Sequence, residues 1–221
     1  MRKVVKISAI IAANLLFIAS AHAATIDLVS NGYFEAGNIG FNSEHTFVTS
    51  NSPAGQYTVG TDPKAFNGNF SSFGDKTSGS GNMMIINGST SVGTVAWEQT
   101  VGVTAGQTYE FSIWIANAFT SGNSLLDLVA NGVNVGSANT TQGVTGVWEQ
   151  FSGSWTASTS GNIAIQLIEN STAFGGNDYA LDDISFTTDM SAATPVPLPA
   201  SAWLLITGLA GVFGLSRKRR A

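Results

Sequence analysis

Short stretches of alternating apolar and polar residues recur along this chain, separated by turns rich in Gly, Asn, Ser and Thr. Side chains alternate across a β-strand, so each stretch predicts a strand with one buried face. The clearest is 107–117, and Asn131-Gly132 between two such stretches predicts a tight hairpin. Strands are predicted at 26–29, 83–86, 95–103, 107–117, 125–130, 133–136, 147–157, 162–169 and 179–187. The pattern is typical of an all-β, antiparallel β-sandwich.

The segment 38–81 departs from this pattern, because it is rich in Gly, Ser and Asn and carries scattered aromatic residues. We interpret it as long loops with one or two short strands. Loops of this length in a compact domain are usually functional or disordered, and the aromatic residues favour an ordered segment.

The N-terminus has the three parts of a secretory signal peptide. Arg2, Lys3 and Lys6 are followed by the apolar stretch 7–19 and then by the A-x-A sequence 21–23. This order predicts export through the Sec translocon and removal of residues 1–23 by signal peptidase. The predicted β-sandwich domain is 24–189, followed by a short linker at 190–195.

The C-terminal residues 196–221 predict a short membrane segment. Residues 200–215 carry no charge and would span about 24 Å as a helix, slightly less than a typical bilayer span requires. Their basic end is a stop-transfer cluster that favours the cytoplasmic side: Arg217, Lys218, Arg219 and Arg220. The alternative is a buried C-terminal core helix, which the uniformly apolar surface and the four unpaired cations disfavour.

This tail resembles the PEP-CTERM family of bacterial sorting signals in its V-P-L-P-A variant. The motif is matched, in the family's order before the apolar helix and the basic end, by Val196, Pro197, Leu198, Pro199 and Ala200. Leu198 stands where the parent motif has a glutamate. The resemblance implies that an exosortase recognises and removes the tail in the inner membrane, leaving the protein at the cell surface or outside the cell. It also implies an association with exopolysaccharide production.

Charge limits the partners of the segment 24–195. Its only cations are Lys64 and Lys76, whereas all 14 acidic residues of the chain lie there. Binding to nucleic acid by phosphate neutralisation is therefore excluded. The chain has no cysteine, which excludes disulfides, thiol nucleophiles and zinc–thiolate sites.

A second resemblance covers roughly residues 27–187. The N-G-Y-F-E sequence at 31–35 and the A-L-D-D-I sequence at 180–184 are similar to the first and last motifs of galactose-binding-like jelly rolls. Between them, the segments 97–99 and 104–109 and Trp148 match the same pattern in order. The resemblance implies a jelly-roll β-sandwich, the fold of several carbohydrate-binding modules, but fold alone does not give function.

In that fold a structural Ca²⁺ often joins the first strand to the last, which implies Glu35 and Asp182 as ligands here. Strand parity independently places Asp182 on the core-facing side with Ile184 and Phe186, where an unpaired carboxylate would be costly. Calcium binds six to eight oxygen ligands, and backbone carbonyls can supply the remainder. The alternative is that Asp182 accepts hydrogen bonds from backbone N–H groups at the sheet edge.

The sequence favours binding over catalysis. His45 is the only histidine outside the predicted signal peptide, and we interpret it as a solvated loop residue. Neither a G-x-S-x-G nor an H-E-x-x-H motif occurs. We therefore predict that the protein is not an enzyme.

Sugar binding would require an exposed aromatic ring beside polar groups. Trp114, with Glu110 on the same strand face, is the first candidate, and Trp148 is the second. The alternative is that the segment 38–81 covers an outward-facing tryptophan. We expect a polysaccharide-binding role in the extracellular matrix or cell envelope, with a structural or adhesive protein and a glycan-active enzyme as alternatives.

Overall fold

The computed structural model describes residues 24–50, 53–171 and 175–189. The described residues from Thr25 to Asp189 lie in one compact unit. The predicted signal peptide, linker and sorting tail lie outside the described residues. No helix among the described residues is sufficiently long and apolar to cross a bilayer.

The described residues form eleven β-strands and one short helix. The strands in the first half of the chain are β1 (Thr25–Asp27), β2 (Thr46–Phe47), β3 (Gln56–Gly60), β4 (Met83–Asn87), β5 (Val95–Val103) and β6 (Thr108–Asn117). The helix α1 (Pro63–Phe66) lies between β3 and β4. The second half contributes β7 (Leu125–Ala130), β8 (Val133–Asn139), β9 (Glu149–Thr156), β10 (Gly161–Glu169) and β11 (Tyr179–Asp189).

Two sheets divide these strands between them. The larger sheet has the order β2-β3-β4-β11-β6-β9, with β1 paired to the far end of β11, and the smaller has the order β5-β10-β7-β8. All pairs are antiparallel except β2–β3. The all-β sandwich predicted from the alternating pattern and the jelly roll implied by the second resemblance are confirmed, and each predicted strand has a counterpart.

The main core lies between the two sheets and consists of the apolar face of each strand. It includes Trp97 from the smaller sheet and Phe111 from the larger, both fully buried. Tyr109 stacks on Phe186 with ring centroids 4.9 Å apart. Each buried side chain of this size contributes about 1.5–3 kcal/mol through the apolar surface removed from water.

The outer face of the larger sheet is covered by the segment between β3 and β4. A second apolar cluster forms there, with Phe66 and Phe70 from the segment and Met83 and Ile85 from β4. The helix α1 begins at Pro63 after Asp62, whose side chain accepts the Lys64 N–H. The interpretation of 38–81 as long loops with one or two short strands is confirmed for its described residues, which contain β2, β3 and also α1. Phe66, Phe70 and Phe73 hold these loops to the sheet.

The sheets approach each other along one side through β8 and β9. A Cβ on Gly153 would lie 2.0 Å from the Val135 carbonyl oxygen, so only glycine permits this contact. On the other side, Asn42 and Glu98 exchange backbone hydrogen bonds of 2.9 Å, which covers the edge of β5.

A β-bulge in β11 changes which residues face the core. Leu181 lies opposite Ile115, Asp182 opposite Trp114, and the register then shifts between Asp182 and Ser185. Asp183 has a φ of 47° at this point. Consequently Leu181 and Ile184 both belong to the main core. The prediction that Asp182 shares a face with Ile184 and Phe186 is therefore wrong, whereas its burial is confirmed, at 0% exposure.

Candidate functional site

Asp182 lies beneath the segment 75–82, on the outer face of the larger sheet. Its Oδ2 accepts the Lys76 N–H and its Oδ1 accepts the Asp183 N–H, each at 2.9 Å. Burial raises the pKa of this carboxyl from 3.8 to about 7, despite those two hydrogen bonds, and the neighbouring Asp183 and Asp75 carboxylates add to the rise. Asp182 is thus a buried acid in a negative environment.

Glu35 lies against the same segment, where its Oε1 accepts the Asn82 N–H at 2.9 Å. A Cβ on Gly81 would lie 2.2 Å from Oε1 of Glu35 and 3.1 Å from Oδ2 of Asp75. The Glu35 and Asp75 carboxylates therefore flank the same glycine. The structure thus brings both residues of the predicted calcium site, Glu35 and Asp182, to one loop.

Asp75 was not singled out by the sequence. It closes the turn 75–81 by accepting the N–H groups of Ser78 and Gly81, both at 2.7 Å. Burial alone would raise the pKa of Asp75, but these hydrogen bonds outweigh it and lower the pKa below its ordinary value. The signal that would have found it is the D-x-x-S spacing, which is typical of side chains that cap turns.

The Asp75, Asp182 and Glu35 group fits a calcium ion only in part. Among the described residues, no three His, Cys, Asp or Glu side chains converge in a metal-binding arrangement. A cation there would therefore depend on backbone carbonyls and water for most of its coordination, as calcium sites often do.

The predicted sugar-binding residues surround the same segment. Trp114 is partly buried, and Nζ of Lys76 lies 4.0 Å from its ring centroid, a cation–π contact. Trp148 donates its indole N–H to the Gly74 carbonyl at 3.1 Å and packs edge-on against Phe73. The alternative that the segment 38–81 covers outward-facing tryptophans is thus confirmed for part of each ring.

Glu110 is exposed on the same outer face of β6. Trp114 is four positions further along the strand, so the Cα atoms of the two residues lie about 13 Å apart. The role of Glu110, Trp114 and Trp148 in ligand binding stays a prediction.

His45 is buried at the end of the sandwich where β11 begins, so the prediction of a solvated loop histidine is wrong. It is 5% exposed, and its Nε2 lies 3.3 Å from Oε1 of Glu169, close enough for an ion pair but not aligned as a hydrogen bond. Glu169 also accepts the Tyr179 hydroxyl at 2.8 Å and the Ser89 N–H at 2.9 Å. Burial, followed by the Glu169 charge, raises the pKa of Tyr179 well above its ordinary value.

A pocket of about 360 Å³ opens at this same end of the sandwich. We call it the loop-end pocket. Its lining consists of Pro53, Ala54, Asn67, Asn69, Phe70, Asn87, Thr90, Phe119, Gly175, Asn177 and Asp178. Four asparagines and one carboxylate thus face the same cavity as two phenylalanine rings, and binding sites for small ligands combine apolar walls with a few polar groups in this way.

Hydrogen bonds between loops hold the pocket in shape. Asn177 donates its side-chain N–H to the Ser89 carbonyl at 2.7 Å. The Ala118 N–H bonds to the Asp178 carbonyl and the Ser71 N–H bonds to the Ala118 carbonyl, both at 2.8 Å. Loops from four parts of the chain are therefore tied together. Sequence reasoning missed this site, because asparagine beside glycine indicates a turn wherever it occurs.

Among the described residues that line the pocket, Asp178 is the charged one, and it is only 4% exposed. Its carboxylate accepts the Gly88 N–H at 3.2 Å and the Gly176 N–H at 3.4 Å. Burial raises the pKa of Asp178, and the nearby Glu169 charge raises it further, while these hydrogen bonds lower it less.

Several solved structures share this fold. A Stig cyclase from Fischerella sp. TAU, in complex with an indole compound, matches with a TM-score of 0.53 and 13% identity, over 76% of this chain and all of that one. A tandem of family 22 carbohydrate-binding modules from Paenibacillus barcinonensis matches with a TM-score of 0.50 and 17% identity, over 82% of this chain and 50% of that one. A family 16 carbohydrate-binding module matches with a TM-score of 0.43 and 15% identity, over 72% of this chain and 98% of that one.

No protein-family model matches the chain, and no curated protein matches it in sequence. At these identities the structural likeness establishes the jelly-roll fold and leaves the ligand open.

Proposed function

We propose that this protein is an exported carbohydrate-binding protein and that its loop-end pocket holds the glycan. The observation that carries the proposal is the pocket lining, in which side-chain amides from three loops and the Phe70 and Phe119 rings share one cavity. Amides can donate and accept hydrogen bonds with sugar hydroxyls, and an aromatic ring can contact the apolar face of a sugar.

The fold supports the same proposal in a general way. The tandem of family 22 modules is similar in fold, and its name states that these modules bind carbohydrate. The cyclase shares the fold as well, so the fold is compatible with catalysis, and a glycan-active enzyme is the alternative that the experiments must address.

A glycan array probed with the purified protein tests the proposal. We expect binding to at least one polysaccharide, with an affinity loss of about tenfold or more in Phe119→Ala, since truncating a ligand-contacting aromatic removes about 1–3 kcal/mol. Asn69→Ala, at an exposed pocket position, should also weaken binding. Absence of binding to every glycan would refute the proposal, and release of shortened products would indicate an enzyme.

The Trp114 face is the second candidate surface, because a partly exposed tryptophan lies there beside Lys76, on the strand that also carries Glu110. Trp114→Ala and Phe119→Ala distinguish the two surfaces. Loss of binding in Trp114→Ala alone would place the glycan on the outer face of the larger sheet, with Trp148 supporting the loop beside it.

We further propose that one structural Ca²⁺ binds between Glu35 and Asp182. Asp182 is fully buried beside Asp75 and Asp183, and a divalent cation would offset this negative charge and tie the segment 75–82 to β11. Ligand binding to the folded state raises the melting temperature. We expect a rise with calcium that chelator reverses and that Glu35→Gln reduces. An unchanged melting temperature would exclude the ion and leave Asp182 as a cap for backbone N–H groups.

Export and processing are the last part of the proposal. The signal peptide would direct the chain through the Sec translocon, and the tail would hold it briefly in the inner membrane until an exosortase cleaves it. Replacing Pro197 and Pro199 by alanine should leave the full-length form in the membrane fraction. If such a variant is released as efficiently as the wild type, the sorting motif has been misassigned. A released protein that binds no glycan would instead be a structural or adhesive protein.

A further inference from the structure

The described lining of the loop-end pocket carries negative charge only. Asp178 is the only charged residue among the described residues that line it, and neither Lys64 nor Lys76 belongs to the lining. Lys76 lies instead over the Trp114 ring. No cationic side chain of the described lining is thus available to neutralise an acidic ligand.

A second buried carboxylate, that of Glu169, lies near Asp178. Glu169 is 2% exposed and lies close enough to raise the pKa of Asp178 by charge repulsion. The His45 imidazole lies 3.3 Å from Glu169. Among the described residues that line the pocket, none is a lysine, arginine or histidine, so Asp178 faces the cavity with a second carboxylate nearby.

Asp178 also has capacity for another hydrogen-bond donor. A carboxylate offers about four lone-pair sites, and the two N–H groups that reach Asp178 do so at 3.2 and 3.4 Å, at the long end of the range for N–H···O bonds. A ligand ammonium would supply donors and charge together, and such charge-assisted hydrogen bonds are the shorter and stronger kind.

We propose that the loop-end pocket selects sugars that carry a protonated amine, such as glucosamine units, over neutral and acidic sugars, with Asp178 as the residue that recognises the ammonium. This inference rests on the proposed carbohydrate binding at this pocket. The asparagine side chains contact the hydroxyl groups, which all three sugar classes share, and Asp178 supplies the discrimination.

Three β-1,4-linked oligomers test the inference, because glucosamine, N-acetylglucosamine and glucose oligomers share one backbone and differ only at C2. Binding of the full chain is measured by calorimetry at a pH at which the free amine is protonated, with oligogalacturonate as the acidic probe. We expect the glucosamine oligomer to bind about tenfold more tightly than the other two, the ratio that one charge-assisted hydrogen bond provides. The acidic oligomer should be the weakest ligand.

Two matched variants separate recognition by Asp178 from attraction of a cationic oligomer to an acidic protein. Asp178→Asn removes one charge in the pocket, and Asp189→Asn removes one charge at the far end of β11, the strand that follows Asp178, where Asp189 accepts the Thr25 hydroxyl. Asp178→Asn should abolish the preference for the glucosamine oligomer, whereas Asp189→Asn should retain it. A preference that survives in Asp178→Asn would overturn the inference.

The outcomes distinguish the selectivity for amino sugars from the carbohydrate binding on which it rests. Equal or tighter binding of the neutral or acidic oligomers by the wild type would overturn the amine selectivity and leave carbohydrate binding intact. Failure of every glycan to bind would overturn both. If Asp178→Asn does not fold, as judged by its melting temperature, Phe119→Ala in the pocket lining replaces it. Binding of the glucosamine oligomer that Phe119→Ala leaves unchanged would indicate attraction to the acidic protein outside the pocket and would overturn the inference.

Discussion

Replacing Asp182 by asparagine should change the stability of the calcium-free protein in opposite directions at high and low pH. The wild-type carboxyl has a pKa of about 7 in the folded protein, against an ordinary value of 3.8. The folded state therefore holds this proton more tightly than the unfolded chain. Its contribution to stability is fully present below about pH 4 and is lost progressively as the pH rises through about 7.

The magnitude follows from the same two values. A pKa difference of about 3 at 1.36 kcal/mol for each unit corresponds to about 4 kcal/mol of unfolding free energy lost above neutral pH. Asparagine avoids this loss because it carries no charge. Its amide N–H₂ would, however, face the N–H of Lys76 or Asp183 in place of an oxygen, at a cost of about 1–3 kcal/mol. Asp182→Asn should thus be about 1–3 kcal/mol more stable than the wild type at about pH 8.5 and less stable by a similar amount at about pH 4.

Urea unfolding followed by tryptophan fluorescence, in buffers with chelator at several pH values, measures this difference. The informative quantity is the difference between variant and wild type, because other titrating groups cancel in it. A difference in unfolding free energy that does not vary between pH 4 and pH 8.5 would show that folding does not raise the pKa of Asp182. Added calcium should stabilise the wild type at high pH and have little effect on the variant.

Three further substitutions test other contacts. Gly81→Ala should displace the Glu35 carboxylate from the Asn82 N–H, which lowers the unfolding free energy by about 1 kcal/mol and reduces the stabilisation by calcium. Gly68→Ala is the control, because a Cβ there meets no atom within 4 Å, and it should leave the calcium stabilisation unchanged. Melting temperatures with and without calcium measure both effects. Gly153→Ala should destabilise the sandwich by about 1–3 kcal/mol or more in urea unfolding, because the Val135 carbonyl cannot move without separating β8 from β9. His45→Ala removes a buried imidazole 3.3 Å from Glu169 and should lower the unfolding free energy in urea by about 1–3 kcal/mol, the cost of removing the partner of a buried polar group; a near-neutral result would mean that the His45–Glu169 contact contributes nothing.

The fold could be predicted because residues close together in sequence indicate its strands and turns. Alternation in 107–117 and the Asn131-Gly132 turn predicted β6 and the β7–β8 hairpin without knowledge of any partner strand. The position of Asp182 in an alternating strand predicted its burial, but it did not predict the face of the sheet on which the side chain lies. One extra residue in the β11 bulge reverses the parity, and a bulge leaves no dependable mark on the alternation of a short strand.

The candidate sites were less accessible to sequence reasoning, because their residues come together only through long-range contacts. Glu35 and Asp182 were found through a resemblance, whereas Asp75 lies 40 residues from one and more than 100 from the other. His45 illustrates the same limit. A lone histidine between polar residues predicts exposure, yet Glu169, far away in sequence, provides the partner that makes its burial tolerable.

The amino-acid sequence by itself determined the class of this protein: period-two strands, an acidic body without cysteine, and two terminal segments with the composition of export and sorting signals. These are properties of neighbouring residues and of composition, so no coordinates are needed to establish them. Only the tertiary structure determined which loops lie next to each other. It placed Asn69, Phe119 and Asp178 around one cavity and laid the segment 75–82 over Asp182, because the packing of one sheet on the other determines which distant loops share an end of the sandwich.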